Sequence, residues 1–260
     1  MLPKPKKRLG QNFLVDKRIQ SKIVNACRIN SSEAVIEIGP GQAALTGLIA
    51  DRANKVFAIE IDDTLYKKLS VAFADEPKVK IIHADFLDID LNQFFSNNQK
   101  VRVIGNIPYY ITTPIIERLI EHSTHISSIW LTVQKEYARR ICAKPGSKEY
   151  GSLTCFIRYY ALPKVEFDIK SGSFFPKPKV DSSLISLSIH DKPPVEVKDK
   201  EKFFRLIRCS FAQKRKTLRN NLKTVMPAKT IEGFIAKKSL SPNVRAEELS
   251  LQDFADLSNF

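Results

Sequence analysis

The stretch 34-AVIEIGPGQAALTGLIADRANKVFAIEI-61 contains two apolar runs, separated by a glycine turn and a segment of helical character. The runs 34-AVIEI-38 and 55-KVFAIEI-61 are nearly continuous in apolar residues, which is typical of strands covered on both faces of a sheet. The segment 42-QAALTGLIADRA-53 between them predicts a helix. A strand, a helix and a second strand in this order favour a doubly wound α/β sheet.

The alternation continues along the chain, and Thr113 and Pro114 suit the cap and first turn of a helix. Further strands are predicted at 79-VKIIHA-84, 101-VRVIG-105 and 129-IWLTV-133, and further helices at 62-DDTLYKKLSVAFA-74 and 113-TPIIERLIEH-122. After about residue 150 the pattern changes. Consecutive strands that would close one edge of the sheet antiparallel are predicted at 152-SLTCFIRYYA-161, 164-KVEFDI-169 and 183-SLISLSI-189.

The polar segment 191-DKPPVEVKDKE-201 has paired prolines and predicts a linker. Beyond it, 203-FFRLIRCSF-211 and 231-IEGFIAKK-238 have helical spacing. We therefore predict a Rossmann-like, mostly parallel sheet with an antiparallel edge at residues 1–190, a linker at 191–200 and a small helical domain at 201–260.

The composition is that of an ordinary globular protein, with 43% hydrophobic and 27% charged residues. No apolar run is long enough to span a membrane. The start, 1-MLPKPKKRLGQNFLVD-16, lacks the apolar core and cleavage site of a secretory signal, so we expect a cytoplasmic protein without a membrane partner. The four cysteines and four histidines form no ligand motif, and neither a metal site nor a disulfide framework is expected.

The net charge of +14 favours a polyanionic partner. Basic clusters lie at 4-KPKKR-8, 139-RR-140, 177-KPK-179 and 213-QKRKTLR-219. We expect the partner to be nucleic acid, and an anionic membrane surface is the lesser alternative.

A ligand site is predicted at the turn 37-EIGPGQAALT-46, where Gly39 and Gly41 permit close approach of the backbone. The third glycine of the dinucleotide fingerprint is absent, and a plain tight turn is the alternative. Glu60 ends the second strand, where Rossmann-like folds place a ribose-binding acid, and Asp85 follows the third strand. Together these residues indicate a site for an adenosine-containing ligand.

With the Asn-x-Pro-Tyr tetrad 106–109, these motifs resemble class I S-adenosylmethionine-dependent methyltransferases that act on adenine amines. The chain is most similar to the ribosomal RNA adenine dimethyltransferase family, whose bacterial housekeeping branch dimethylates two adjacent adenosines near the 3′ end of small-subunit (16S) rRNA. The motifs that carry the resemblance occur in family order and span most of the chain: 9-LGQNFLVD-16, 37-EIGPGQAALT-46, 59-IEID-62, 84-ADF-86, 105-GNIPYYITTPI-115, 134-QKEYARRI-141, 174-FFPKPKVDSS-183 and 209-CSFAQKRKTLRNNL-222.

The resemblance implies that the cofactor is S-adenosylmethionine and that its binding residues are Asn12, Leu14, Gly39, Gly41, Glu60, Asp85 and Asn106. It implies that Asn12 and Leu14 close over the cofactor, that Glu60 binds its ribose and that Asp85 binds its adenine amine. Asn106 would lie beside the methionine portion.

The amine of adenine is a poor nucleophile, because its lone pair is delocalised into the ring. The Asn106 side-chain oxygen and the Ile107 carbonyl can accept hydrogen bonds from the two N–H groups, and Pro108 stiffens the turn. Tyr109 can stack on the base, and the resemblance places Phe174 on the opposite face. The alternatives are an ordinary turn at 105-GNIPYY-110 and core packing of Phe174 or Phe175, and the role expected of Tyr110 is support of the turn.

The resemblance implies rRNA of the small ribosomal subunit, or its precursor, as the partner, and we expect a monomer. Phosphate contacts are predicted from Lys177, Lys179, Lys214, Arg215, Lys216 and Arg219. The alternatives are a large-subunit (23S) rRNA methyltransferase of the macrolide-resistance type, a non-catalytic RNA-binding assembly factor and a NAD-dependent oxidoreductase.

Overall fold

A computed structural model describes residues 5–95 and 99–260 of the chain. The chain forms two compact units, one of Met1–Ala138 with Lys164–Ile189 and the other of Arg139–Pro163 with His190–Phe260. Residues 139–163 were expected to lie in the first domain. In the structure they belong to the second unit, together with the C-terminal helices. The chain leaves the first unit after Ala138, returns to it at Lys164 and leaves it again after Ile189.

The strands of the described residues are β1 (Phe13–Leu14), β2 (Ala34–Ile38), β3 (Lys55–Glu60), β4 (Val79–His83), β5 (Val101–Asn106), β6 (Ile126–Gln134), β7 (Ala161–Ile169), β8 (Phe174–Phe175) and β9 (Ser182–Ile189). The α-helices are α1 (Lys17–Cys27), α2 (Thr46–Ala50), α3 (Asp63–Ala72), α4 (Thr112–Glu121), α5 (Lys135–Ile141), α6 (Ser152–Tyr160), α7 (Lys200–Ser210), α8 (Leu218–Leu222), α9 (Ala228–Lys237) and α10 (Leu251–Asn259).

Seven strands form one sheet in the order β4-β3-β2-β5-β6-β9-β7. The five strands from β4 to β6 are parallel, and β9 pairs antiparallel with β6. β9 and β7 are also antiparallel. Ser183 is hydrogen-bonded to Asp168, and the later residue Ser186 is hydrogen-bonded to the earlier residue Glu166. The predicted mostly parallel sheet with an antiparallel edge is therefore confirmed.

The central strands carry the core of the first unit. Side chains such as Val35, Ile36, Val56, Val103 and Leu131 are fully buried. Because the sheet is parallel here, β2, β3, β4 and β5 all end at the same edge, and the residues that follow them come together there.

The expected strand over residues 152–161 is wrong. Residues Ser152–Tyr160 form α6, and the strand β7 begins only at Ala161. Aromatic and β-branched residues give this segment a strand-like composition. Packing decides otherwise, since the ring of Tyr159 lies 5.4 Å from that of Phe203 and 5.2 Å from that of Phe204 in the core of the second unit.

Two helix starts also differ from expectation. The helix predicted from residue 42 begins at Thr46, because the turn before it includes Ala43 in a left-handed conformation, with φ of 61°. The helix predicted to be capped by Thr113 begins at Thr112, whose hydroxyl donates to the Tyr109 carbonyl. Among the described helices none is long and apolar enough to cross a membrane.

Candidate active site

The turn after β2 lies at the carboxyl edge of the sheet. Gly39 and Gly41 have φ of 65° and 60°, in the region that favours glycine. A Cβ added to Gly41 would lie 3.3 Å from the ring of Phe13, so a larger residue at this position would also have to displace that ring. Gly39 faces more open space, where the nearest atom to an added Cβ is the Asn106 carbonyl oxygen at 4.0 Å. The backbone at Gly39 is therefore accessible to a ligand.

Glu60, at the end of β3, is almost fully buried and holds this turn in place. Its two carboxylate oxygens accept from the Gly41 N–H at 3.0 Å and the Asp62 N–H at 2.9 Å. Burial raises the pKa of Glu60, although both N–H donors oppose the shift. Asp85, after β4, is half-buried and accepts from the Leu87 N–H at 2.8 Å.

The cavity at this edge gathers nearly all residues that the sequence assigned to cofactor binding and adenine recognition. Its lining includes Asn12, Leu14, Gly39, Gly41, Glu60, Asp85, Asn106, Ile107, Pro108 and Tyr109. They come from the N-terminal segment and from the ends of β2, β3 and β5 and the turn after β4. The structure therefore places in one cavity residues that are up to 97 positions apart, from Asn12 to Tyr109.

The tetrad Asn106–Tyr109 forms one wall of the cavity. Asn106 ends β5, and its Nδ2 donates to the Asn12 carbonyl at 3.1 Å, so its Oδ1 is the atom that remains as an acceptor. Pro108 has φ of −60° and ψ of 136°, and fixes the turn that follows the strand. The Tyr109 hydroxyl lies 2.7 Å from the Ser182 Oγ, and burial raises its pKa.

The N-terminal segment, residues 5–14, contributes residues 9–14 to the lining of the cavity. Lys6 Nζ and Gln11 Nε2 contact the two oxygens of the Asp62 carboxylate at 2.6 and 3.0 Å. β1 then pairs antiparallel with β8, with Phe13 opposite Phe175 and Leu14 opposite Phe174. The segment is held at both ends by contacts within the first unit.

The stacking role expected for Phe174 is not supported by the structure. Its side chain is only 4% exposed, packs in the core with Ile169 and Leu184, and does not line the cavity. The strand pairing of β8 with β1 turns Phe174 inward and Phe175 outward, since successive side chains of a strand point to opposite faces. Phe175 is 50% exposed, and core packing is the alternative that holds for Phe174.

Sequence reasoning missed Glu37, which lies in β2 and lines the cavity. It is 2% exposed, and its Oε2 has no hydrogen-bond partner among the described residues. Burial, with a smaller effect of the nearby Glu60, raises the pKa of Glu37 to about 8. The signal was present, since Glu37 is the one charged residue in the apolar run 34-AVIEI-38. The Nε2 of Gln42, also in the lining, is likewise buried and unpartnered within the described chain.

The residues predicted to contact phosphate are exposed. Lys177 and Lys179 lie in the first unit, after β8. Lys214, Arg215 and Lys216 lie in the second unit between α7 and α8. Arg219 is in α8, and its Nε contacts the Glu232 carboxylate at 2.8 Å, so an RNA phosphate would compete with that carboxylate. Across residues 5–95 and 99–260 no group of acidic, histidine and cysteine side chains is placed to hold a metal ion.

Comparisons with known proteins cover nearly the whole chain. Residues 3–260 match the family described as ribosomal RNA adenine dimethylase. The chain is 44% identical to ribosomal RNA small subunit methyltransferase A of Shouchella clausii, over 98% of this chain and 88% of that protein. A dimethyladenosine transferase from Plasmodium falciparum has a similar structure, with a TM-score of 0.77 and 25% identity over 94% of this chain and 95% of that one. The structure of the 23S rRNA methyltransferase ErmE has a TM-score of 0.76 over 95% of this chain and 98% of that one, and at 24% identity this likeness shows the fold.

Proposed function

Since the chain belongs to the ribosomal RNA adenine dimethylase family, we propose that it methylates the N6 amines of two adjacent adenosines near the 3′ end of 16S rRNA. The methyl donor is S-adenosylmethionine, and the product is N6,N6-dimethyladenosine at both positions. One observation carries the proposal: a single cavity at the carboxyl edge of the sheet contains the glycine turn, Glu60, Asp85 and the Asn106–Tyr109 tetrad.

The cavity fits this donor chemically. Glu37 and Gln42 line the cavity, and each has a buried side-chain atom without a hydrogen-bond partner among the described residues, so contacts within the protein do not use up the polar groups of the lining. Two more acids, Glu60 and Asp85, suit the hydroxyl and amine donors of an adenosine. When bound, S-adenosylmethionine supplies an electrophilic methyl group on its sulfonium. The residues that would hold it are Asn12, Leu14, Gly39, Gly41, Glu60, Asp85 and Asn106.

The tetrad would orient the adenine amine. The Asn106 Oδ1 and the Ile107 carbonyl accept hydrogen bonds from the two N–H groups of the amine. These bonds direct the nitrogen lone pair toward the methyl group and stabilise the positive charge that develops on the amine. Tyr109, held by Ser182, provides a rigid face for the base. The proton leaves to water after transfer, and no strong base is required. The target adenine has to leave its stack to enter the cavity, which favours an unpaired region of the RNA.

The partner in this proposal is the small ribosomal subunit or its precursor, and binding there gives the protein a role in subunit assembly. Exposed basic side chains support phosphate contacts, namely those of Lys177, Lys179, Lys214, Arg215, Lys216 and Arg219. We propose that the protein acts as a monomer in the cytoplasm.

The test is transfer from radiolabelled S-adenosylmethionine to small subunits that lack this modification, followed by mapping and counting of methyl groups. About four methyl groups on two neighbouring adenosines, two on each amine, are expected. Transfer to large-subunit RNA alone would instead support the macrolide-resistance type of activity. RNA binding without transfer to either subunit would favour a non-catalytic assembly factor.

A further inference from the structure

Tyr110, which follows the tetrad, is an exposed aromatic residue at the active-site cavity. It lines the same cavity as Tyr109, yet it is 65% exposed. Tyr109 is half-buried and hydrogen-bonded to Ser182, whereas Tyr110 presents most of its ring to solvent. A large exposed ring at a ligand site is available for a contact that the protein itself does not make.

The position of this ring is fixed from one side. A Cβ added to Gly10 would lie 3.0 Å from Cε1 and 3.2 Å from Cδ1 of Tyr110, and 3.3 Å from Cβ of Pro108. The Cδ1–Cε1 edge therefore packs on the N-terminal segment at Gly10, whose φ of 59° and missing side chain both favour glycine. The backbone of Tyr110 lies in a 3₁₀ turn directly after Pro108. Little ordering entropy is lost when a ligand contacts a ring that is already held in this way.

The proposed reaction creates a partner for such a ring. When one adenine enters the cavity, the next nucleotide loses its stacking neighbour, and the RNA backbone keeps it beside the base that has entered. Aromatic side chains stack on unpaired bases of any sequence, because every base has a π-face. We propose that Tyr110 is a stacking platform for the base adjacent to the target adenosine. The inference rests on the proposed function, since it requires an RNA substrate with its target base extruded.

The proposal is tested with unmodified small subunits, reconstituted from rRNA that is either intact or abasic at one neighbour of a target adenosine, and transfer to that adenosine alone is mapped and timed. Tyr110→Ala should lower kcat/KM on intact subunits by about 5- to 150-fold, the range of one lost base–aromatic stack. Tyr110→Phe keeps the ring and should stay within about twofold of the wild type. On abasic subunits the wild type should lose activity by a similar factor, and Tyr110→Ala should add no further loss.

Two controls separate this role from others. Val71→Ala changes a side chain that is 79% exposed and does not line the cavity, and should leave kcat/KM unchanged. Tyr110→Ala should bind S-adenosylmethionine like the wild type by calorimetry. Equal losses by Tyr110→Ala on intact and abasic subunits, no loss at all, or a loss of cofactor affinity that accounts for the whole effect would each overturn the proposal. Failure of the wild type to methylate intact small subunits would instead refute the proposed function.

Discussion

Asn106 connects two parts of the site, since its Nδ2 holds the N-terminal segment at Asn12 and its Oδ1 remains as an acceptor. Asn106→Ala removes both, and we expect kcat for methyl transfer to fall by about 100- to 1,000-fold, as for the loss of one preorganised polar group. RNA affinity should change far less. The measurement is single-turnover methylation alongside RNA binding. Asn54→Ala, at an exposed asparagine before β3, is the control. Comparable losses in transfer and in binding would contradict the adenine clamp.

Glu37 makes stability depend on pH. Its pKa is raised from 4.5 to about 8 in the folded chain. Between these values the unfolded chain loses a proton that the folded chain keeps, so the free energy of unfolding falls as pH rises, and it levels off above pH 8. Glu37→Gln should remove this part of the fall, which is on the order of 5 kcal/mol at most.

Denaturant unfolding of the wild type and Glu37→Gln between pH 5 and pH 9 measures the difference. Superimposable pH profiles would show that Glu37 does not keep its proton on folding. The variant has no carboxyl group at this position and serves as the reference, since its pH profile contains only the contributions of the other titratable groups.

The sequence predicts that certain residues lie together at one edge of the sheet, because a parallel sheet brings the ends of its strands to the same edge. These residues are the two glycines, both strand-end acids and the tetrad. The orientation of Phe174 was not predictable. Two adjacent phenylalanines in 174-FFPKPK-179 look equivalent in sequence, and only the pairing of β8 with β1 decides which one is buried. Glu37 was missed for a different reason, since its significance depends on its burial and on an Oε2 atom that has no hydrogen-bond partner in the described part of the chain.

Among the elements, the N-terminal segment 5–14 contributes residues 9–14 to the lining of the cavity. Lys6 and Gln11 attach this segment to the first unit, since their side chains donate hydrogen bonds to the Asp62 carboxylate. The double variant Lys6→Ala, Gln11→Ala leaves Asp62 free to cap α3 through Thr64 and should weaken S-adenosylmethionine binding by about 3- to 10-fold, as expected for the loss of polar contacts at a partly exposed site.

Calorimetric titration with the cofactor measures this effect, and faster proteolysis within the first residues should accompany it. Lys67→Ala removes an exposed ion pair with Asp63 on α3 and is the matched control. Unchanged affinity and unchanged proteolysis would mean that β1 alone holds the segment in place.

The strands of the parallel sheet were predicted to within a few residues, because continuous apolar runs bounded by turns have few alternatives. The segment 152–160 shows the limit of that reasoning. Its aromatic and β-branched residues suit either structure, and the choice is made by rings of α7 that are distant in sequence. Local composition does not contain this information.

At the scale of the whole molecule, the net charge of +14 predicts salt-dependent RNA binding. Lys214→Ala combined with Arg215→Ala should weaken binding and reduce the slope of log K against log salt by about 1.4 to 1.8, the value for two phosphate contacts. A control with the same loss of charge is Lys192→Ala combined with Lys229→Ala, both exposed. Equal changes of slope in the two double variants would mean that the site of the charges does not matter.

The boundary between the units could not be read from the sequence. Proline and charge at 191–200 mark one crossing of the chain, but the crossings near residues 138 and 163 fall within α5 and β7, where nothing in the composition changes. These two boundaries of the discontinuous unit are visible only in the structure.

Because the second unit consists of two separate segments of the chain, few breakpoints for recombination with a relative keep it intact. A chimera with a single breakpoint at residue 190 would combine α6 from one parent with α7 from the other, although the rings of Tyr159, Phe203 and Phe204 pack as one set. Exchange of residues 139–163 together with 190–260 would transfer the second unit intact. A transferable C-terminal unit therefore consists of two segments of the chain, and it is not a module that can be appended after residue 190.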